Sequence, residues 1–221
     1  MTQDARQTTR LSVFPLPGAL LFPGMHLPLH IFEPRYRAMV SDAMARDRRI
    51  GMIQPRLQGA PPEPGANGTA GDDRPELYDI GCVGRIAEVE ALEDGRFNLV
   101  LEGVALFRIV RELDVTTAFR QVEAELLPVT GDETLSLGHR SSLELESRRY
   151  AEAQGYTVDW DAVERLDDES LVNGIAQIAP FDAAAKQALL EAPDIETRAE
   201  LIIQLMQFFG RHDGEDKVTL Q

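Results

Sequence analysis

Lysine and cysteine are nearly absent from this sequence: its 221 residues include only Lys186, Lys217 and Cys82. A single cysteine permits no intrachain disulfide and points to a reducing compartment. It also rules out a CxxC zinc site. No Gly-Lys pair occurs anywhere, which excludes a Walker-type phosphate loop. Long apolar runs are missing too. The most apolar stretch, LSVFPLPGALLFPG at 11–24, is broken by three prolines and two glycines. It has neither the continuous core nor the cleavage site of a signal peptide. No run approaches the ~20 residues that span a bilayer, so the expected setting is the cytoplasm, away from membranes. Basic charge is scarce: 22 bases face 37 acids, a net charge of −15. Such a surface repels phosphate backbones and sets nucleic acid low among expected partners.

What remains has a globular composition, 43% hydrophobic and 27% charged, in a chain long enough to bury an ordinary core. The first ten residues, MTQDARQTTR, are polar and are expected to be disordered. In LPLHIF, Leu27, Leu29 and Ile31 share one face of an extended strand, and His26, Pro28 and His30 share the other. Pro28 marks this as an edge strand or a bulge. Pro34 suits a first helical turn. Tyr36, Met39, Val40, Ala43 and Met44 recur at helical spacing, predicting a helix over 34–47. A strand is expected from Ile50 to Gln54. Residues 56–75 are rich in Pro, Gly, Ala and Asp and read as a long mobile surface loop, either a functional lid or a tolerated insertion. Composition favours the insertion.

From residue 77 to 127 the pattern has period two. Val83, Ala87, Val89 and Ala91 lead into Asp94-Gly95, a hairpin turn. Phe97, Leu99 and Leu101 resume the alternation. Further strands are expected over Ala105–Arg111 and Arg120–Leu127. Several strands with short turns and one early helix predict a closed or nearly closed small β-barrel over 11–130. After Pro128 the period becomes helical. Helices are expected over 132–154, over Glu169–Ala179 with Pro180 as its stop, from an Asp182 cap through Leu190, and after an Asp194 cap. This gives a helical bundle over 131–210 and a polar tail over 211–221. The fold class is therefore α+β, strands first and helices after.

Chemistry-bearing patterns are few. His26 and His30, on a strand rising about 3.3 Å per residue, stand roughly 13 Å apart and cannot share one metal ion. Cys82 sits between glycines in IGCVGR, with no neighbouring base to activate it, and reads as a buried strand residue. Carboxylates are too numerous for any pair to identify an acid/base couple. No catalytic residue, cofactor site or metal site is expected. The PLPGALLFPG segment allows two readings. Leu21, Phe22 and Met25 could meet an apolar peptide, or the segment could fold inward as a plug. The plug is preferred, because buried apolar residues outnumber patch-forming ones.

Three stretches resemble the substrate-binding N-terminal domain of the Lon (La) protease family. The first runs from Phe14-Pro15-Leu16 through Leu21-Phe22-Pro23-Gly24 to Leu27-Pro28-Leu29-His30-Ile31-Phe32-Glu33-Pro34-Arg35-Tyr36. The second is Ile80-Gly81-Cys82-Val83-Gly84-Arg85-Ile86. The third comprises Glu169-Ser170-Leu171-Val172-Asn173, Lys186-Gln187-Ala188-Leu189-Leu190-Glu191 and Arg198-Ala199-Glu200-Leu201. The resemblance covers roughly 11–209. It implies a barrel of the PUA-like type followed by a helical bundle, and a role in recognising unfolded or tagged protein segments. Full-length members add an ATPase and a Ser-Lys protease, and this sequence ends before either would begin. The expectation is a non-catalytic module that binds unfolded or flexible protein segments, with a protease or chaperone as a further partner. The alternative is RNA binding, since the PUA-like class includes RNA binders. Its candidate patch is Arg35, Arg37, Arg46, Arg48 and Arg49, which equally fits one solvated helix face.

Overall fold

The computed structural model describes residues 8–56, 75–128 and 133–215, the last five of these by their backbone only. The expected loop over 56–75 falls almost wholly outside the described residues. The chain divides into two compact units. One takes the residues through Leu21 together with Leu27–Leu127, and the other takes Phe22–His26 together with Pro128 onward.

The first unit is built from β1 (Thr8–Pro15), β2 (His26–Ile31), α1 (Pro34–Met44), β3 (Arg49–Ile53), β4 (Ile80–Ala91), β5 (Phe97–Glu112) and β6 (Gln121–Leu126). The strands pair in the order β2-β5-β4-β3-β1-β6, and β6 returns to pair with β5. Five strands thus close into a barrel, which removes their free edges. β2 lies at the end of the order, the edge position that Pro28 demands. β1 and β3 run parallel, because β2 and α1 carry the chain across between them. The other described pairings are antiparallel.

β5 is longer than its sequence suggests. Two strands were expected, over 97–101 and 105–111, with Gly103 between them. One strand of 16 residues forms instead. Gly103 lies opposite Gly84, and the β4–β5 register slips there and again between Ile86 and Glu88. Such bulges bend a strand without ending it, so β5 can pair along both β4 and β6. The β4–β5 turn contains Gly95 at φ +79°, as the Asp-Gly signal requires. Residues 8–10, expected in a disordered terminus, instead pair with Glu123–Glu125 of β6. α1 stops at Met44 rather than 47, where the Ala45 and Arg48 N–H groups bond back to helix carbonyls and Arg48 turns to φ 59°.

Leu11, Val13, Ile53, Val83, Phe107, Val122 and Ala124 fill the barrel. Gly51 and Gly81 make room for Phe107. A Cβ on Gly81 would meet its ring at 2.8 Å, and one on Gly51 at 3.0 Å. Burying one phenylalanine this fully contributes about 1.5–3 kcal/mol. Cys82 is buried here, as read from its position between glycines. Tyr36, Met39, Val40 and Ala43 form the buried stripe of α1, and Tyr36 packs its ring 4.2 Å from that of Phe14.

The second unit holds α2 (Leu137–Gln154), α3 (Trp160–Val163), α4 (Asp168–Ile178), α5 (Ala183–Glu191) and α6 (Ile195–Glu215). Side-chain caps start the first four helices: Ser136, Asp159, Asp167 and Asp182 accept from the N–H groups of His139, Ala162, Ser170 and Ala185. Asp194 does the same for Thr197 at the head of α6. α6 continues to Glu215, past the expected start of the tail. α3 was not expected, since four residues are too few to show a helical period.

Candidate functional site

Within the second unit an apolar groove of about 600 Å³ runs between helices. Its formation starts at the end of α2. Gly155 at φ 73° caps that helix in the left-handed region, and the Tyr156 N–H bonds back to the Ala151 carbonyl at 2.8 Å. The chain reverses, so Tyr156, Thr157 and Val158 line the groove beside Tyr150 and Ala151 of α2. The Asp159 cap then turns α3, which adds Trp160 and Val163. α4 contributes Leu171, Gly174, Ile175 and Ile178, and α6 contributes Met206.

Polar contacts brace these walls. Arg140 of α2 pairs with Asp168 at the head of α4, donates to the Leu166 carbonyl at 2.9 Å, and pairs with Glu144 at 2.9 Å. The hydrogen bond to Asp168 raises the already high pKa of this guanidinium. Arg148 lies 4.5 Å over the Trp160 ring and bonds Glu164 at 2.8 Å, which fixes the indole in place. At the head of α4 the Ser170 N–H holds the Asp167 carboxyl below the usual carboxylate range. The groove rim is apolar and open: Ile178 is 80% exposed, Tyr156 51% and Leu166 41%. Chemically the arrangement can desolvate apolar side chains. Among the described residues no group of three His, Cys, Asp or Glu side chains stands where it could hold a metal ion.

None of the residues singled out from the sequence is in the groove lining. Leu21 belongs to the first unit, fully buried, with its Cδ2 3.0 Å from where a Cβ on Gly84 would sit. Phe22 and Met25 belong to the second unit. Phe22 is fully buried, and the Arg198 guanidinium lies 6.0 Å from its ring centre. Met25 is half-buried, near Gly174. In this conformation Leu21 and Phe22 present no surface to a peptide, because both side chains are spent on core packing.

The backbone of 22–26 is fastened to α4. Gln177 accepts from the Phe22 N–H at 3.1 Å and donates to the His26 carbonyl at 2.8 Å. Asn173 donates to the Pro23 carbonyl at 3.1 Å. Asn173 in turn accepts from buried Arg198, which also donates to the Leu189 carbonyl. Lys186 caps the Gln177 carbonyl, and burial pushes its ammonium pKa down. In the first unit, the arginines read as a possible basic patch are partly neutralised: Arg35 pairs with Glu33 at 2.9 Å and Arg46 with Asp42 at 3.1 Å.

The groove itself was not found from sequence. Its lining runs from Glu144 to Met206 across several elements and forms no motif. The one available signal was the cluster of Tyr150, Tyr156 and Trp160 around a glycine, in a chain only 6% aromatic.

A closed mixed barrel in one unit and capped helices around an apolar groove in the other define an α+β protein. Residues 10–207 match the substrate-binding domain of ATP-dependent protease La (LON), and the chain belongs to that family. It is 27% identical over 210 residues to Lon protease 2 of Myxococcus xanthus, covering 89% of this chain and 23% of that protein. It is 30% identical over 216 residues to Lon protease of Salinispora arenicola, covering 96% and 25%. The chain thus spans about a quarter of the length of these relatives. A Lon N-terminal domain protein from Xanthomonas campestris has the same fold, with a TM-score of 0.64 at 22% identity over 90% of this chain and 98% of that one. The N-terminal domain of Mycobacterium avium complex Lon protease gives 0.62 at 19% identity, with the same coverage. No described helix is long and apolar enough to cross a membrane.

Proposed function

We propose that this chain is a non-catalytic recognition module that binds unfolded or flexible segments of other proteins, acts in the cytoplasm, and passes them to a protease or chaperone. The observation that carries the reading is the match of residues 10–207 to a substrate-binding domain. The groove supports it physically. Unfolded chains expose the apolar side chains that folded ones hide, and an open apolar groove gains free energy by covering them. The net charge of −15 argues against the RNA-binding alternative.

Photo-crosslinking tests the reading. A permanently unfolded, carboxymethylated model protein should be labelled by this chain above background, and the same protein in its native state should not. Equal labelling of both states, or of neither, contradicts the proposal.

A further inference from the structure

The groove and the charge around it differ sharply in character. The lining is almost wholly apolar, with Glu144 its only ionisable carboxylate or cation. The stretch that builds most of it, residues 144–180, carries nine carboxylates against three arginines. Arg148 pairs with Glu164, Arg149 with Glu146, and Arg140 with both Glu144 and Asp168, which leaves Glu152, Asp159, Asp161, Asp167 and Glu169 outside these pairs. Of these, Glu152, Asp159, Asp161 and Asp167 are exposed. The whole chain adds a field of the same sign.

Resting on the polypeptide-binding reading above, we propose that this groove is where the segment docks, and that it selects apolar stretches flanked by lysine or arginine. The apolar centre covers Trp160, Tyr156 and Ile178, and the cationic flanks meet the surrounding carboxylates. A polypeptide fits better than a small ligand. The apolar surface does not end inside the cavity but continues onto exposed Ile178, Tyr156 and Leu166, which a chain running across the rim would cover. Flanking charge of the right sign speeds encounter and excludes acidic segments, while burial of the centre supplies the affinity.

Trp160 is the only tryptophan in the chain, so intrinsic fluorescence reports directly on the groove. Three short peptides sharing one aromatic-aliphatic centre, flanked by lysine, serine or glutamate, are titrated into the full chain. Dye-labelled copies followed by anisotropy report binding anywhere on the chain. The expected result is a saturable Trp160 change with affinity in the order lysine, serine, glutamate, spanning roughly tenfold or more. The spread should collapse at about 1 M salt, where the Debye length is about 3 Å. Ile178→Ser and Tyr156→Ser, both at exposed positions, should weaken the lysine peptide several-fold with unchanged circular dichroism.

Equal affinities, or a preference for glutamate, overturn the charge selection. Anisotropy binding that leaves Trp160 silent and both variants unaffected overturns the groove while leaving polypeptide binding intact. No binding of any peptide by either readout overturns both.

Discussion

At the residue scale the two units depend on different kinds of close fit. In the barrel, Gly81 is defined by what it lacks. A methyl there would press on the Met52 carbonyl, the Ile53 side chain and the Phe107 ring. Backbone cannot retreat as a side-chain tip can, so Gly81→Ala should cost about 1–3 kcal/mol, read as a lower urea midpoint at unchanged slope. In the helical unit the equivalent position is Arg198, only 7% exposed. It donates to the carbonyls of Leu189 and Ala192 and to Asn173 Oδ1. Removing it strands several buried acceptors at once. Arg198→Ala should destabilise by roughly 3 kcal/mol in the same measurement, and Arg198→Lys should recover only part, since an ammonium cannot reproduce the planar fork. An unchanged urea midpoint in Arg198→Ala would show that the network adds nothing to stability.

At the element scale the helices are set by their caps, which gives a pH dependence of definite sign. The carboxyls of Asp167 and Asp194 are held below their ordinary pKa, chiefly by the N–H groups of Ser170 and Thr197. A depressed folded pKa favours the folded state above the unfolded value, near 4, and that gain is lost as pH falls through the folded value. Thermal melts should therefore show Tm steady from neutral pH to about 5 and falling below about 4, with the fall shallower in Asp167→Asn and Asp194→Asn. An identical acid limb in wild type and variants would contradict it.

These same caps were legible in the sequence at Asp182 and Asp194, because an aspartate before an apolar-periodic run has a local meaning. The period-two strands around Asp94-Gly95 were legible for the same reason. The length of β5 was not. Gly103 looks like a break until it is known to face Gly84 across a bulge, and that fact depends on a partner strand. Nor was α3, whose single turn is shorter than any window that shows a period. Leu21 and Phe22 were legible as apolar residues between prolines, but the choice between plug and open face depended on what packs over them. The groove was the least legible feature, since it exists only once α2, α4 and α6 lie side by side.

At the scale of the whole molecule, a closed barrel leaves little backbone free for pairing, and a capped helical unit holds an open apolar surface instead. The strong negative charge opposes self-association through such a surface, because like-charged copies repel. That combination fits the proposed binding of unfolded chains. The proposed function requires binding that is selective for the unfolded state. Its most direct test is fluorescence anisotropy of one dye-labelled protein, native and then permanently unfolded, titrated with this chain. Saturable binding of the unfolded form alone is the predicted result. Binding of both forms with equal affinity, or of neither, would contradict the account.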